Sequence, residues 1–176
     1  YNSLAHRTTW LRSDLTGKGR CNVTNACFEL SELIGNVPRN PRFLYSAFSS
    51  FMPYDTMAFF ENLGVPLKVE RGNRVFPVSD NAHDIANALV KNAADSGVRV
   101  IHAAAQGFEF QNGRISAVCL ANGKKIECDS VAICTGGMSY PATGSTGDGY
   151  RLARSAGHSV TPLSPALVSL KSEDAF

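Results

Sequence analysis

DSVAICTGGMSYPATGSTGDGYRLARSAG, residues 129–157, is the stretch on which the fold turns. Residues 130–134 form a short apolar run bounded by turn residues, the composition of a strand in a parallel sheet covered on both faces. The run ends at Thr135-Gly136-Gly137. Paired glycines at the carboxyl end of such a strand let a ligand approach the backbone, and open α/β sheets receive ligands at that edge. The next cluster, TGSTGDG at 143–149, opens a helix over 150–156 with Gly157 as its stop. A helix opening presents N–H donors and the positive end of the helix dipole, so glycines there suit an approaching anion. Asp148 at that point either caps the helix or accepts hydrogen bonds from ligand hydroxyls or ring nitrogens. Taken singly, each glycine cluster reads equally well as a turn.

The chain leads into this stretch through alternating patterns. Residues 108–111, 114–120 and 124–128 read as three strands joined at Asn112-Gly113 and Asn122-Gly123, the pair favoured in type I′ hairpins, so a meander is expected there. Upstream, Asp80 or Asn81 caps a helix over 82–96 with Ile85, Leu89 and Ala93 on one face and Gly97 as its stop, followed by a strand at 98–101. Helix, stop glycine and apolar strand together have the order of an α/β crossover. Residues 66–78 suggest a hairpin turning at Arg71-Gly72-Asn73. In the aromatic-rich segment 28–64, prolines 38, 41 and 53 separate two helical stripes. One runs through Phe43, Leu44, Ala47, Phe48 and Phe51, the other through Met57, Phe59, Phe60 and Leu63 to a stop at Gly64. Core or inter-helix packing is the expected use of both stripes, with lining of a cavity as the alternative.

TGKGRCNVTN at 16–25 is a polar loop with two cations, two glycines and two asparagines. Lys18 and Arg20 there suit a diphosphate, Gly17 and Gly19 let the backbone close on it, and Asn22 can bond a heterocycle edge. A solvated surface loop is the plainer alternative. Cys21 reads as a small buried thiol. His83 and His102 stand apart from other ligand types and read as surface or packing residues, and no metal site is expected.

Composition narrows the class. At 176 residues, 44% hydrophobic and 18% charged, the chain has the makeup of a soluble globular protein with one core. Its formal charge of +2 comes from scattered cations, which gives no nucleic-acid signature. Five cysteines without a CxxC pair argue against a disulfide framework or zinc ribbon, and no apolar run suggests a bilayer span. The expectation is a cytoplasmic protein with a small-molecule substrate, no nucleic acid and no membrane partner; nothing indicates an oligomeric state.

Three motifs in order, GKGRCNVTN at 17–25, RVFPVSDNAHDI at 74–85 and TGGMSYPATGSTGDGYRLARSAGH at 135–158, resemble the bacterial NAD(P)/FAD-dependent oxidoreductases of the BaiN-type and aminoacetone oxidase-like group. The resemblance implies an α/β fold over 1–176. It would be part of a two-dinucleotide-binding-domain, Rossmann-like flavoprotein with a helical segment, a crossover helix, a three-stranded β-meander and the glycine-rich turn at 130–149. It implies FAD as cofactor, NAD(P)H as a candidate reductant, and hydride transfer through the isoalloxazine to an unassigned substrate. Gly17, Lys18, Gly19, Arg20, Cys21 and Asn22 match the loop near the flavin and its diphosphate. Thr135, Gly136 and Gly137 match the strand-end turn against the cofactor, and Asp148 matches a flavin-contacting position of related reductases. Ala105 and Gln106 fall where a strand passes the adenine. Family members open with a strand, GxGxxG and helix, which this sequence does not contain, so the expectation is an internal fragment, inactive by itself. The alternative is a nucleotide-binding module that keeps the fold without cofactor or activity. No catalytic residue is nominated.

Overall fold

Glycine- and asparagine-marked turns fold the described residues into two antiparallel sheets, one in each of two compact units that divide at Ala104/Ala105. The computed structural model describes residues 19–139 and 144–164. The first unit contains β1 (Thr24–Asn25), α1 (Leu30–Gly35), a 3₁₀ turn (Pro41–Leu44), α2 (Tyr45–Ser50), α3 (Pro53–Asn62), β2 (Leu67–Glu70), β3 (Arg74–Pro77) and α4 (Ala82–Asp95). The second contains β4 (Ala105–Gln111), β5 (Arg114–Leu120), β6 (Lys125–Glu127) and α5 (Asp148–Ser155).

In the first unit the expected hairpin is present, with Val69 opposite Val75 and Glu70 opposite Arg74, and with Gly72 and Asn73 at φ +76° and +56° making its turn. Not anticipated was the third strand. Part of the polar loop, Thr24–Asn25, lies antiparallel to β3, with Thr24 opposite Val75, giving the order β1-β3-β2. Val75, at the centre of that sheet, is fully buried and Phe76 is 2% exposed. Phe60, Val65 and Ile85 form a core cluster against which Cys21, Val23, Phe59, Leu67 and Ala88 pack. α4 begins where expected. Asn81 is its cap, accepting the His83 amide at 3.0 Å, and Gly97 at φ +74° follows its end. α3 starts at Pro53, and the Asp55 carboxylate reaches back to the Met52 amide at 2.7 Å.

Two expectations fail in this unit. The aromatic stripe at 43–51 is helical, but neither the 3₁₀ turn nor α2 contains a buried residue, and Phe43 is 86% exposed. Helical spacing sorts apolar groups onto one side, while burial needs full cover: α1 packs against the 3₁₀ turn and α2 without burying them, and Phe43 and Leu44 line a groove, the alternative use expected of the stripe. The run 98–101 is also not a strand: it has no ladder partner among the described residues, and Val100 is 37% exposed.

In the second unit the meander forms in the order β4-β5-β6. Asn112 and Gly113, at φ +52° and +74°, make the type I′ turn. The second turn differs from expectation. Only Gly123 has positive φ, its amide bonds Leu120 O at 3.0 Å, and the Asn122 side chain accepts the Lys124 amide. This is the longer loop in which one left-handed glycine closes an ordinary turn. Ala117, Val118 and Leu120 of β5 and Leu152 of α5 are buried.

The segment 131–134, expected to be a buried parallel strand, is neither buried nor part of a sheet. Ile133 is 38% exposed and Cys134 is exposed. Parallel pairing requires a neighbour strand running the same way, and both sheets among the described residues are antiparallel. α5 follows the expected plan, with Gly157 at φ +85° and the His158 amide returning to Ala153 O.

Candidate functional site

Thr135, Gly136, Gly137 and Asp148 come together in the second unit, where the glycine turn packs on the first turn of α5. Gly149 is buried, and a Cβ built on it would fall 2.5 Å from Thr135 Oγ1 and 3.2 Å from Ile133 Cγ2. Only a glycine lets the helix start approach Thr135 this closely. A Cβ on Gly137 would meet the Tyr150 hydroxyl at 3.4 Å. The cap of α5 is Gly147, at φ +83°, and no side chain satisfies the helix opening from that position. Met138 lies over Gly147. Asp148 is therefore the first helical residue instead of the cap. One of its carboxylate oxygens accepts from Thr146 Oγ1 at 2.6 Å and the other from Arg151 Nη2 at 3.4 Å.

Ala105 and Gln106, expected beside an adenine, stand at the start of β4. The β4–β5 register slips between Ala105 and Gly107, so Gln106 is the extra residue of a β-bulge. Its carbonyl leaves the ladder and accepts from Arg151 Nη1 at 2.6 Å, while Arg151 Nη2 lies 3.5 Å from Ala105 O. One arginine thus ties the bulge to Asp148. Sequence reading passed over Arg151, although Asp148 and Arg151 are spaced i,i+3 on a helix, a pairing distance that could have flagged it.

Gly17 and Lys18 lie outside the described residues. Gly19, Arg20, Cys21 and Asn22 belong to the first unit, and the glycine turn and α5 to the second. Gly19 is at φ +84° and Cys21 at φ +62°. Asn22 Oδ1 accepts the Val75 amide at 3.3 Å, which fastens the loop to β3. The Arg20 guanidinium lies 4.0 Å above the Phe76 ring, bonds both Glu70 oxygens at 2.9 and 3.1 Å, and bonds Asp80 at 3.1 Å. Lys68 completes the group through Asp80 at 2.6 Å. The hydrogen bonds from Arg20 hold the Glu70 carboxyl below the usual range, and those from Lys68 do the same for Asp80. Arg20 is raised in turn, chiefly by its hydrogen bonds to Glu70. A diphosphate reaching Arg20 would have to compete with two carboxylates.

None of the five cysteines is joined in a disulfide. Burial pushes Cys27 and Cys128 above the ordinary thiol range, which disfavours the nucleophilic thiolate at both. A groove of about 520 Å³ lined by Arg39, Asn40, Phe43 and Leu44 contains none of the residues expected at the site.

The glycine turn and α5 suit a cofactor with anionic and hydroxyl groups. Thr135 Oγ1 is buried without a hydrogen-bond partner among the described residues, a costly state for a hydroxyl that a ligand group would relieve. The glycine cap leaves the positive end of α5 open to an anion, and the Asp148 carboxylate stands at its edge as an acceptor. With this arrangement, comparison with known proteins is decisive: the model of the HI0933-like protein Rossmann domain matches residues 10–174. The chain belongs to the HI0933-like Rossmann-domain family. It is 36% identical over 159 residues to the 3-dehydro-bile acid delta(4,6)-reductase of Clostridium scindens, covering 89% of this chain and 37% of the relative. It is 27% identical to the ribosomal RNA dihydrouridine synthase of Escherichia coli, over 88% of this chain and 37% of the relative, and 25% identical to that of Haemophilus influenzae. The chain thus spans little more than a third of the length of these relatives. Membership makes the fold a Rossmann-like α/β domain, as the sequence implied, with mixed helices and antiparallel sheets in the described part. Among the described residues no helix is long and apolar enough to cross a membrane.

Proposed function

We propose that this HI0933-like domain serves an FAD-dependent oxidoreductase that reduces a carbon–carbon double bond conjugated to a carbonyl. The observation that carries the cofactor assignment is the buried Thr135 hydroxyl, unpartnered among the described residues, beside the glycine-capped start of α5. Thr135, the backbone of Gly136 and Gly137, the opening of α5 and Asp148 would hold the cofactor. When bound, FAD supplies hydride chemistry that no side chain provides. The residues of this chain bind and orient. The α5 dipole favours negative charge at its start, the Asp148 carboxylate accepts from hydroxyl or N–H groups, and the glycines admit the ligand to backbone distance.

The reaction class rests on the two kinds of relative. A delta(4,6) double-bond system beside a 3-oxo group and the ring double bond of uridine beside its carbonyl are both electron-poor alkenes that accept hydride at the carbon remote from the carbonyl. The larger identity to the bile-acid enzyme favours a small-molecule substrate over RNA.

The test uses a protein carrying this sequence, loaded with FAD and reduced anaerobically with NAD(P)H. A conjugated 3-oxo steroid is expected to reoxidise the flavin, and the saturated ketone to leave it reduced. Equal reoxidation by both would refute the reaction class, and reoxidation by a uridine-containing RNA alone would replace the substrate class. Cofactor placement is tested separately, by following backbone amide signals of the 176-residue chain during titration with FAD. Shifts confined to residues outside 135–137 and 147–150 would refute it.

A further inference from the structure

Arg151 lies inside the family motif at 135–158 with no role of its own assigned there, yet its side chain reaches two elements at once. Its guanidinium bonds the Gln106 carbonyl at 2.6 Å, approaches the Ala105 carbonyl at 3.5 Å and the Asp148 carboxylate at 3.4 Å. Arginine suits this task because its rigid planar fork can address several acceptors at once, which a lysine ammonium on a flexible stem cannot do with fixed geometry. The β-bulge is the other half of the device. By leaving the ladder, the Gln106 carbonyl becomes an acceptor for a group on a different element. The Asp148 carboxylate is then held from both sides, by Thr146 Oγ1 on one oxygen and Arg151 on the other.

We infer that Arg151 is a positioning residue for the cofactor site: it clamps the first turn of α5 to the bulge of β4 and fixes the direction in which Asp148 presents its carboxylate to a ligand. The inference rests on the placement of FAD proposed above and adds a residue that placement did not require. Half of the Arg151 side chain is exposed, so the clamp acts through geometry more than through burial.

The experiment compares the 176-residue chain with Arg151→Met and Arg151→Lys in two measurements. The first needs no flavin: hydrogen exchange of the Tyr150 and Arg151 amides, both of which bond Gly147 O in the first turn of α5. The second is the FAD titration followed at the amides of 135–137 and 148–150. Arg151→Met is expected to speed exchange of those two amides and to weaken FAD binding, each by roughly tenfold, the worth of one good hydrogen bond. Arg151→Lys keeps the charge without the fork, so exchange should match the Met variant while affinity falls less. Full recovery of both readouts by lysine would show that charge alone matters and overturn the inference. Wild-type shifts at the expected amides, reproduced unchanged by both variants, would overturn the role of Arg151 and leave the flavin placement standing. If the wild-type chain shows no FAD-dependent shift there, the placement itself fails and the inference falls with it.

Discussion

Gly149→Ala is the sharpest test of how α5 meets the glycine turn. The new Cβ would lie 2.5 Å from Thr135 Oγ1, closer than side chains tolerate, and in tight contact at 3.2 Å with Ile133 Cγ2, so the Thr135 side chain, the turn or α5 must shift. Overpacking of this kind costs about 1–3 kcal/mol. Alanine recovers up to ~1 kcal/mol of helix propensity over glycine, less in a first turn than in a helix interior. The expected net loss is about 1–2 kcal/mol, a fall in Tm of roughly 3–6 °C for a chain of this size. Thr135→Ala removes a hydroxyl with no partner among the described residues and should change stability by less than about 1 kcal/mol in either direction. In the double variant the alanine finds the space left by Oγ1, and most of the loss should return, giving a coupling energy of about 1 kcal/mol or more. Urea and thermal unfolding followed by circular dichroism provide all four corners of the cycle. If Gly149→Ala is as stable as the parent, or its cost is the same with and without Thr135, the close packing of turn on helix is wrong.

Three further outcomes follow from the first unit. Glu70 and Asp80 have depressed carboxyl pKa values, so their stabilising contribution is complete above the unfolded values near 4 and is lost as pH falls through the lower folded ones. The Tm difference between the parent and Glu70→Gln should therefore be present at about pH 7 and shrink progressively as pH falls below the unfolded carboxyl value; a gap that stays constant through acid would show that the pairing with Arg20 contributes nothing. Phe76→Ala removes a ring 2% exposed beneath Arg20 and should cost about 3–5 kcal/mol in urea unfolding, a loss below about 1 kcal/mol contradicting its place in the core. Phe43→Ser, at 86% exposure, should stay within about 0.5 kcal/mol of the parent, and a larger loss would mean that the 3₁₀ turn is packed after all.

Local signals carried much of this fold. Asn112-Gly113, the Asn81 cap and the stop glycines 64, 97 and 157 each act within a few residues, and the structure uses them as their chemistry suggests. Features that depend on a distant partner were hidden. The strand β1 is two residues of a polar loop, and only the open edge of β3, some fifty residues away, makes it a strand. Apolar composition at 98–101 and 131–134 resembled strands, but composition does not supply the neighbour that a ladder needs. The same limit explains the aromatic stripe at 43–51, whose period was correct and whose cover was not in the sequence pattern. At the site, the glycines and Asp148 could be read because they form a contiguous motif. Arg151 could not be read in full, because half of its role depends on a bulge 45 residues earlier.

The strand β1 also constrains how the 19–22 loop can behave in time. The Val23 amide bonds Val75 O at 2.8 Å and the Ala26 amide bonds Asn73 O at 2.7 Å, so the loop is stitched to the most buried strand of its sheet. A segment anchored in this way cannot swing open as a lid while the rest stays folded. Its slowest amides should exchange only when the hairpin itself comes apart, in the same cooperative event as Val75 and Phe76. Substitutions in the hairpin would then reach Arg20 and Asn22 by tilting the sheet beneath them, making β2 and β3 a lever on a loop that lies more than forty residues away in sequence.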